Sequence, residues 1–325
     1  MTDLKDKVEH ALNESRILIL GAQILVGLLY RSVFEPGYKE LPVSSRGLIL
    51  GGLGLIVIAF GLLMSPVSYH QIVEDGNDRE DFYKFVLGVM ELALVPFALS
   101  LGCTIYSAAE KVQGPVWGVA AGAFSAGLAL LFWYHFPKLK RAEILVTAET
   151  DVGHTSVSAP PAKPSLISTP SETQEKQPMK DESRAQETAS EKLKDKIKQV
   201  LTETRMVLPG AQALLGFQFV IMLMTDFDSL PESSKQIHLA SLFLIALSTI
   251  LLMTPAAYHR IVEGGEDSER FHRFTSRMVL AAMAPLAAGV CGDFFVVTRK
   301  VTDSWPFSVT AASILLVFFT VFGSD

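Results

Sequence analysis

Charged residues are scarce in this sequence, at 19% of 325 residues against 49% hydrophobic residues, and the mean hydropathy is +0.34. Cysteine is nearly absent: Cys103 and Cys291 are the two examples, and both lie inside apolar runs. So few charges exclude an ordinary soluble enzyme and a nucleic-acid-binding protein with a basic face. Two cysteines of this kind also exclude a disulfide scaffold.

Most of the net negative charge lies in one polar segment, residues 142–192. The segment contains five prolines, and nine acidic residues against five basic ones give it a net charge of 5 − 9 = −4, out of −6 for the whole chain. Such a composition cannot bury enough apolar surface to form a core. We therefore predict a disordered linker at 142–192 between two units, residues 1–141 and 193–325.

Long apolar runs make up most of both units. A membrane-spanning helix needs about 20 consecutive apolar residues. The runs predict eight such helices, at residues 16–34, 46–67, 83–106, 114–136, 205–224, 236–257, 272–296 and 304–323. Roughly twice as many Lys and Arg residues flank the side that holds both termini and the linker, which predicts that this side is cytoplasmic. The predicted class is an all-α integral membrane protein whose main partner is the lipid bilayer.

The two units are copies of each other, because a shift of 189 residues aligns them without a gap over their first two spans. The longest shared motif is Y-H-x-I-V-E-x-G-x-D-x-E-x-F, at residues 69–82 and 258–271. Each copy has an even number of predicted spans, so both enter the membrane with the same orientation. This predicts two parallel four-helix repeats related by a pseudo-twofold axis along the membrane normal, a homodimer fused into one chain.

A second motif, E-x-R-x-x-x-x-G-A-Q-x-L-x-G, begins at Glu14 and again at Glu203, and in each copy (S/T)-P-x-x-Y-H-x-I-V ends the second span. Together these motifs resemble a bacterial family of four-span membrane proteins known as domain of unknown function 6328. The resemblance implies a multi-pass protein of the bacterial cytoplasmic membrane. Some members are labelled sodium:proton antiporters, which implies a monovalent cation or a proton as a candidate partner. This sequence departs from the single-unit pattern of the family by being a tandem fusion.

Polar residues within apolar spans are the first candidates for function, because they are costly in a bilayer. Gln23 and Gln212 lie about two turns into the first span of each repeat. A glutamine at this depth either lines a solute path or fixes helix packing through an interhelical hydrogen bond.

Two acid–base pairs stand where the first helix of each repeat enters the membrane. They are Glu14 with Arg16, and Glu203 with Arg205. Each pair is either an interfacial anchor with a snorkelling arginine or a gating salt bridge.

A histidine and a glutamate four residues apart follow the second span of each repeat: His70 with Glu74, and His259 with Glu263. A continuing helix would place each pair on one face. The motif is either a capped helix end, a proton sensor at a cytoplasmic opening or a weak divalent-metal site. Because no closed set of His and Cys ligands accompanies it, we predict no metal site.

Two charged residues within the predicted spans have no charged equivalent in the other repeat. Glu91 lies in the third span, where the second repeat has Leu280, and Arg277 lies in the seventh span, where the first repeat has Gly88. Their similar depth predicts a Glu91–Arg277 ion pair between the third and seventh spans, since a partner offsets much of the cost of a buried charge. The alternative is a snorkelling Arg277 with a protonated Glu91.

Three classes of function fit a duplicated polytopic protein. The first is a small cation or proton transporter or a channel-like protein, favoured by duplication and paired polar positions. The second is a structural, assembly or stress-related membrane protein, favoured by how few charges the spans contain. The third, an intramembrane enzyme, finds no support, because no nucleotide-binding, nucleophile or zinc motif occurs. We therefore predict no catalytic site, no cofactor and no nucleic-acid partner, and leave oligomers beyond the internal pseudo-dimer open.

Overall fold

The computed structural model describes residues 4–72, 80–143, 206–263 and 268–322, together with residues 199, 200, 202 and 204. Apart from its first two residues, the predicted linker lies outside the described residues. So do Glu74, Glu203 and Arg205, and of His70 only the backbone is described.

The described part of the chain is helical and contains no β-strand. Its long helices are α1 (Leu4–Ser32), α2 (Val43–Ile72), α3 (Glu80–Gln113), α4 (Pro115–Glu143), α5 (Met206–Met222), α6 (Glu232–Ile261), α7 (Glu269–Thr302) and α8 (Trp305–Phe322). Within α4, residues Leu131–His135 form a π-helical turn. The predicted all-α class is confirmed.

Six of these helices, α1 to α4, α6 and α7, are long and apolar enough to cross a membrane, whereas α5 and α8 contain shorter apolar stretches, Met206–Met222 and Trp305–Val321. Large apolar side chains point away from the protein on these helices, among them Leu50 (61% exposed), Val119 (59%) and Leu280 (66%). Extensive exposed apolar surface is typical of a protein that contacts a membrane. The chain is therefore a multi-pass membrane protein, and six of the eight predicted spans are confirmed by length and composition.

Each repeat is organised around its third helix. In the first repeat α3 packs against α2 and α4, and in the second α7 packs against α6 and α8. Between the repeats, α3 packs against α6. Short connections make consecutive helices antiparallel, so the bundle has two ends. We call them the basal end, near Leu4, Ile72, Glu80, Glu143, Ile261 and Glu269, and the distal end, near Ser32, Val43, Gln113, Pro115, Asp228 and Thr302.

Helices α3 and α4 approach closely because glycines face each other. A Cβ added to Gly122 would lie 2.8 Å from the carbonyl oxygen of Gly102, and one added to Gly118 would lie 3.1 Å from the carbonyl oxygen of Tyr106. Small residues at a spacing of four are the usual means of bringing helix backbones together in membranes. This face belongs to the first repeat, since α8 has Phe307 at the position equivalent to Gly118.

Replacing Gly122 with alanine is expected to lower the free energy of unfolding by about 1–3 kcal/mol, because the new methyl group would overpack against backbone. Gly127 is the matched control, since a Cβ there meets nothing within 4 Å. Thermal unfolding of the purified protein in detergent measures both. Equal effects of Gly122→Ala and Gly127→Ala would contradict the close α3–α4 contact.

Candidate functional site

At the basal end, a buried carboxylate of the first repeat meets two basic side chains of the second. Glu14 on α1 is 4% exposed, and its Oε1 lies 3.0 Å from Nδ1 of His259 on α6. The Nε atom of the neighbouring Arg260 lies 3.9 Å from Glu14 Oε2. The His259 ring stacks on Phe271 of α7, with 4.4 Å between ring centroids. We call Glu14, His259 and Arg260 the basal cluster.

The predicted partners of Glu14 and His259 are different from the observed ones. Arg16 is exposed and donates to Asn13 Oδ1 at 3.1 Å. It turns away from Glu14 because residues two apart lie on different faces of a helix. Helix α6 ends at Ile261, so the helical spacing does not extend from His259 to Glu263. Among the described residues, Glu14 is thus not paired with Arg16, nor His259 with Glu263, and Glu14 and His259 contact each other between the repeats.

The two predicted glutamines occupy different surroundings. Gln212 is fully buried, its Nε2 lies 3.8 Å from the Met253 sulfur, and its side chain fills the space beside Gly21 of α1. Gln23 is exposed. A further contact, between Gly216 and Leu28, continues the packing of α1 on α5. Only Gln212 therefore faces the interface between the repeats.

A second buried polar group, which the sequence analysis did not identify, lies near the distal end of the second repeat. His238 on α6 is 2% exposed, and its Nδ1 lies 3.3 Å from Asp293 Oδ1 on α7. Its Nε2 lies 3.0 Å from the carbonyl oxygen of Gln218 on α5, and the Gln218 amide donates to the other Asp293 oxygen. Since a carbonyl only accepts, Nε2 carries a hydrogen and Nδ1 faces the carboxylate. We call His238, Gln218 and Asp293 the distal cluster.

The first repeat has a different buried carboxylate at its distal end. Glu110 of α3 accepts hydrogen bonds from Ser44 at 3.1 Å, from Tyr106 at 3.2 Å and from Ser45. The adjacent Lys111 forms an ion pair with Asp228 of the second repeat at 3.1 Å. Glu110 was missed because it lies beyond the predicted end of the third span, whereas α3 continues to Gln113.

The predicted Glu91–Arg277 pair is wrong. Glu91 forms an ion pair with Lys138 of α4 at 3.2 Å, and its backbone carbonyl accepts a hydrogen bond from the Tyr134 hydroxyl. Arg277 is exposed on α7. The reason is that α4 continues past its predicted end at residue 136, so a lysine of the same repeat reaches Glu91.

Trp133 of α4, which lies in the π-helical turn, links the repeats near the middle of α6. Its side chain is fully buried, and its Nε1 donates to the carbonyl oxygen of Ile250 on α6 at 3.0 Å. Such turns are frequent at functional sites. Among the described residues, no group of three or more His, Cys, Asp or Glu side chains is arranged to hold a metal ion.

No curated protein and no solved structure matches this chain. One family model does match, in two pieces that correspond to the two repeats, at residues 4–137 and residues 186–324. The chain therefore belongs to the Family of unknown function (DUF6328), as a tandem-duplicated member.

Proposed function

We propose that this protein conducts protons across a bacterial cytoplasmic membrane, along α6 from the interface between its two repeats into the second repeat, without catalysing a chemical reaction. In this proposal all eight long helices span the bilayer, and both termini and residues 142–192 are cytoplasmic. The excess of Lys and Arg at the basal end supports that orientation.

One observation carries the proposal: histidine–carboxylate pairs lie near both ends of α6. His259 and His238 are 259 − 238 = 21 residues apart. At 1.5 Å per residue this separation is about 31 Å, close to the thickness of the hydrocarbon layer. A histidine beside a carboxylate is the group best suited to take up and release a proton near neutral pH.

Gln212 provides a polar group between the two clusters. It lies 218 − 212 = 6 residues before Gln218 on α5, a step of about 9 Å. Its buried Oε1 has no hydrogen-bond partner, so it offers an acceptor to water entering this part of the interface. A proton delivered to the basal cluster would pass from Glu14 to His259, then by water past Gln212 to the distal cluster.

The pseudo-twofold arrangement of the repeats belongs to the same proposal. The support for it is the gapless repeat of the sequence. The contacts of α1 with α5 are not themselves duplicated, since Gly21 meets Gln212 and Gly216 meets Leu28, whereas a Cβ added to Gly210 or Gly27 meets nothing within 4 Å. Gln23, Arg16 and Arg205 have no part in the proposed path.

Proton flux into proteoliposomes is the direct test. A pH-sensitive dye inside the vesicles reports flux when a potassium gradient with valinomycin imposes a membrane potential. We expect Glu14→Gln and Asp293→Asn to reduce the flux by about tenfold or more, because each removes the proton acceptor beside a histidine. Arg16→Gln, a change at an exposed residue two positions from Glu14, is the matched control and should retain the flux.

A structural or assembly role is the second candidate, favoured by the number of direct links between the repeats. Besides the basal cluster and Trp133, the backbone N–H of Gly37 donates to the Leu223 carbonyl oxygen at 2.9 Å. Wild-type vesicles with no more flux than empty ones, under either sign of potential, would overturn proton conduction and leave this role. Flux unchanged by both Glu14→Gln and Asp293→Asn would also overturn the proposed path.

A further inference from the structure

A polar pocket opens at the basal end, where α3, α4 and α6 meet. Its volume is about 440 Å³. Arg260 lines it from α6, Lys138 and Arg141 line it from α4, and Gly88 and Glu91 line it from α3. Helices of both repeats therefore contribute to one pocket, which we call the basal pocket.

The basal pocket has an excess of positive charge. Three cationic side chains line it against one carboxylate, and that carboxylate, Glu91, is paired with Lys138 at 3.2 Å. Arg141 is exposed at the rim. A concave site with this charge attracts an anion.

Arg260 is the member that points to a specific ligand. Its side chain is 3% exposed, and its Nε donates to the carbonyl oxygen of Ala256 at 2.8 Å. Both terminal nitrogens, Nη1 and Nη2, are buried without a hydrogen-bond partner. Unsatisfied buried donors are costly, and Glu14 approaches the Nε side of the guanidinium rather than its terminal nitrogens.

The geometry points to a phosphate group in the basal pocket, bound by Arg260 with Lys138 and Arg141. The two terminal nitrogens of a guanidinium match two oxygens of a phosphate, and charge-assisted hydrogen bonds of this kind are among the strongest that proteins make. The phosphate belongs either to the headgroup of an anionic lipid or to a free phosphate ion. The inference does not depend on proton conduction.

A comparison of the pocket residues with their equivalents in the other repeat predicts that each chain binds one such phosphate. Arg260 of the second repeat corresponds to Gln71 of the first. Glu91 and Gly88 of the first repeat correspond to Leu280 and Arg277 of the second. The set of side chains that lines the basal pocket is therefore not duplicated.

Binding to the purified, delipidated full chain in detergent tests the inference. The probes are phosphatidylglycerol, followed by native mass spectrometry, and inorganic phosphate as a competitor. We expect one tight phosphatidylglycerol per chain, and an affinity about tenfold or more weaker in Arg260→Gln, the loss expected when a charge-assisted pair is removed. Arg277→Gln, at an exposed arginine of α7, is the matched control and should bind as wild type does.

Two further variants keep the result interpretable if Arg260→Gln does not fold. The double substitution Lys138→Gln with Arg141→Gln changes only exposed pocket residues and should also weaken binding. Glu91→Gln removes the negative charge from the pocket and should strengthen binding severalfold. Competition by inorganic phosphate would identify the free ion as a ligand, and its failure to compete would identify the lipid. Wild type binding neither probe, or the pocket variants binding as wild type does, would overturn the inference.

Discussion

Replacing Glu14 with alanine is expected to lower the free energy of unfolding by about 3–5 kcal/mol, the usual cost of removing one partner from a buried charged pair. The side chains of His259 and Arg260, which are 4% and 3% exposed, would lose the carboxylate beside them. Thermal unfolding of the full chain in detergent measures the effect. Glu80, a carboxylate 71% exposed and paired with Lys84 at the start of α3, is the matched control.

A double-mutant cycle separates the contact from the general effect of the substitution. If Glu14 and His259 interact as their 3.0 Å separation indicates, Glu14→Ala and His259→Ala together should cost less than the sum of the two, with a coupling energy of about 0.5–3 kcal/mol. Additive effects, or a Glu14→Ala melting temperature equal to that of Glu80→Ala, would contradict a buried contact between the repeats.

Replacing Trp133 with alanine is expected to lower the free energy of unfolding by about 3–5 kcal/mol, because the loss of a fully buried indole leaves a cavity. The Ile250 carbonyl oxygen would also lose the hydrogen bond from Trp133 Nε1. Trp117, which is 60% exposed on the same helix, is the control and should tolerate alanine.

Replacing Trp133 with phenylalanine separates the contribution of ring packing from that of the hydrogen bond. It retains much of the ring that packs edge-on against Phe97 at 5.9 Å between centroids, but it cannot donate to Ile250. We expect the free energy of unfolding to fall by about 1–2 kcal/mol, because the hydrogen bond is missing and the ring is smaller. Urea or thermal unfolding in which Trp133→Ala and Trp117→Ala behave alike would show that α4 and α6 are not held together at this point.

The apolar runs predicted the helices well because burial in lipid imposes a simple length requirement on the sequence. The predicted ends of the helices were less accurate. The prediction ended the third span at residue 106 and the fourth at residue 136, whereas α3 reaches Gln113 and α4 reaches residue 143. Hydropathy identifies the part of a helix that lies in the membrane and not the full length of the helix. Glu110 and Lys138 lie on helical residues beyond the apolar part, so their contacts with Ser44 and Glu91 were missed.

The sequence identified Glu14 and His259 as candidates but not their contact. Local spacing reveals only neighbours three or four residues apart on a helix, whereas these two are 245 residues apart. The repeat alone gave no means of choosing which copies of the two motifs meet.

The distal cluster was missed for another reason. Gln218 and His238 are formally neutral and lie inside apolar runs, so neither interrupts the hydropathy pattern that identified the spans. Asp293 is charged, but its partners come from two other helices. A search of predicted spans for histidine as well as for charge would have found His238.

The long separation between Glu14 and its partners also constrains the order of events on the ribosome. Helix α1 is made first, yet the side chains that meet Glu14 are translated 245 residues later, which at roughly 5–20 residues per second is a delay of about 12–50 s. During this interval the carboxylate has no contact with α6. The contact between the repeats at Glu14 can therefore form only late in synthesis, after α6 has been made.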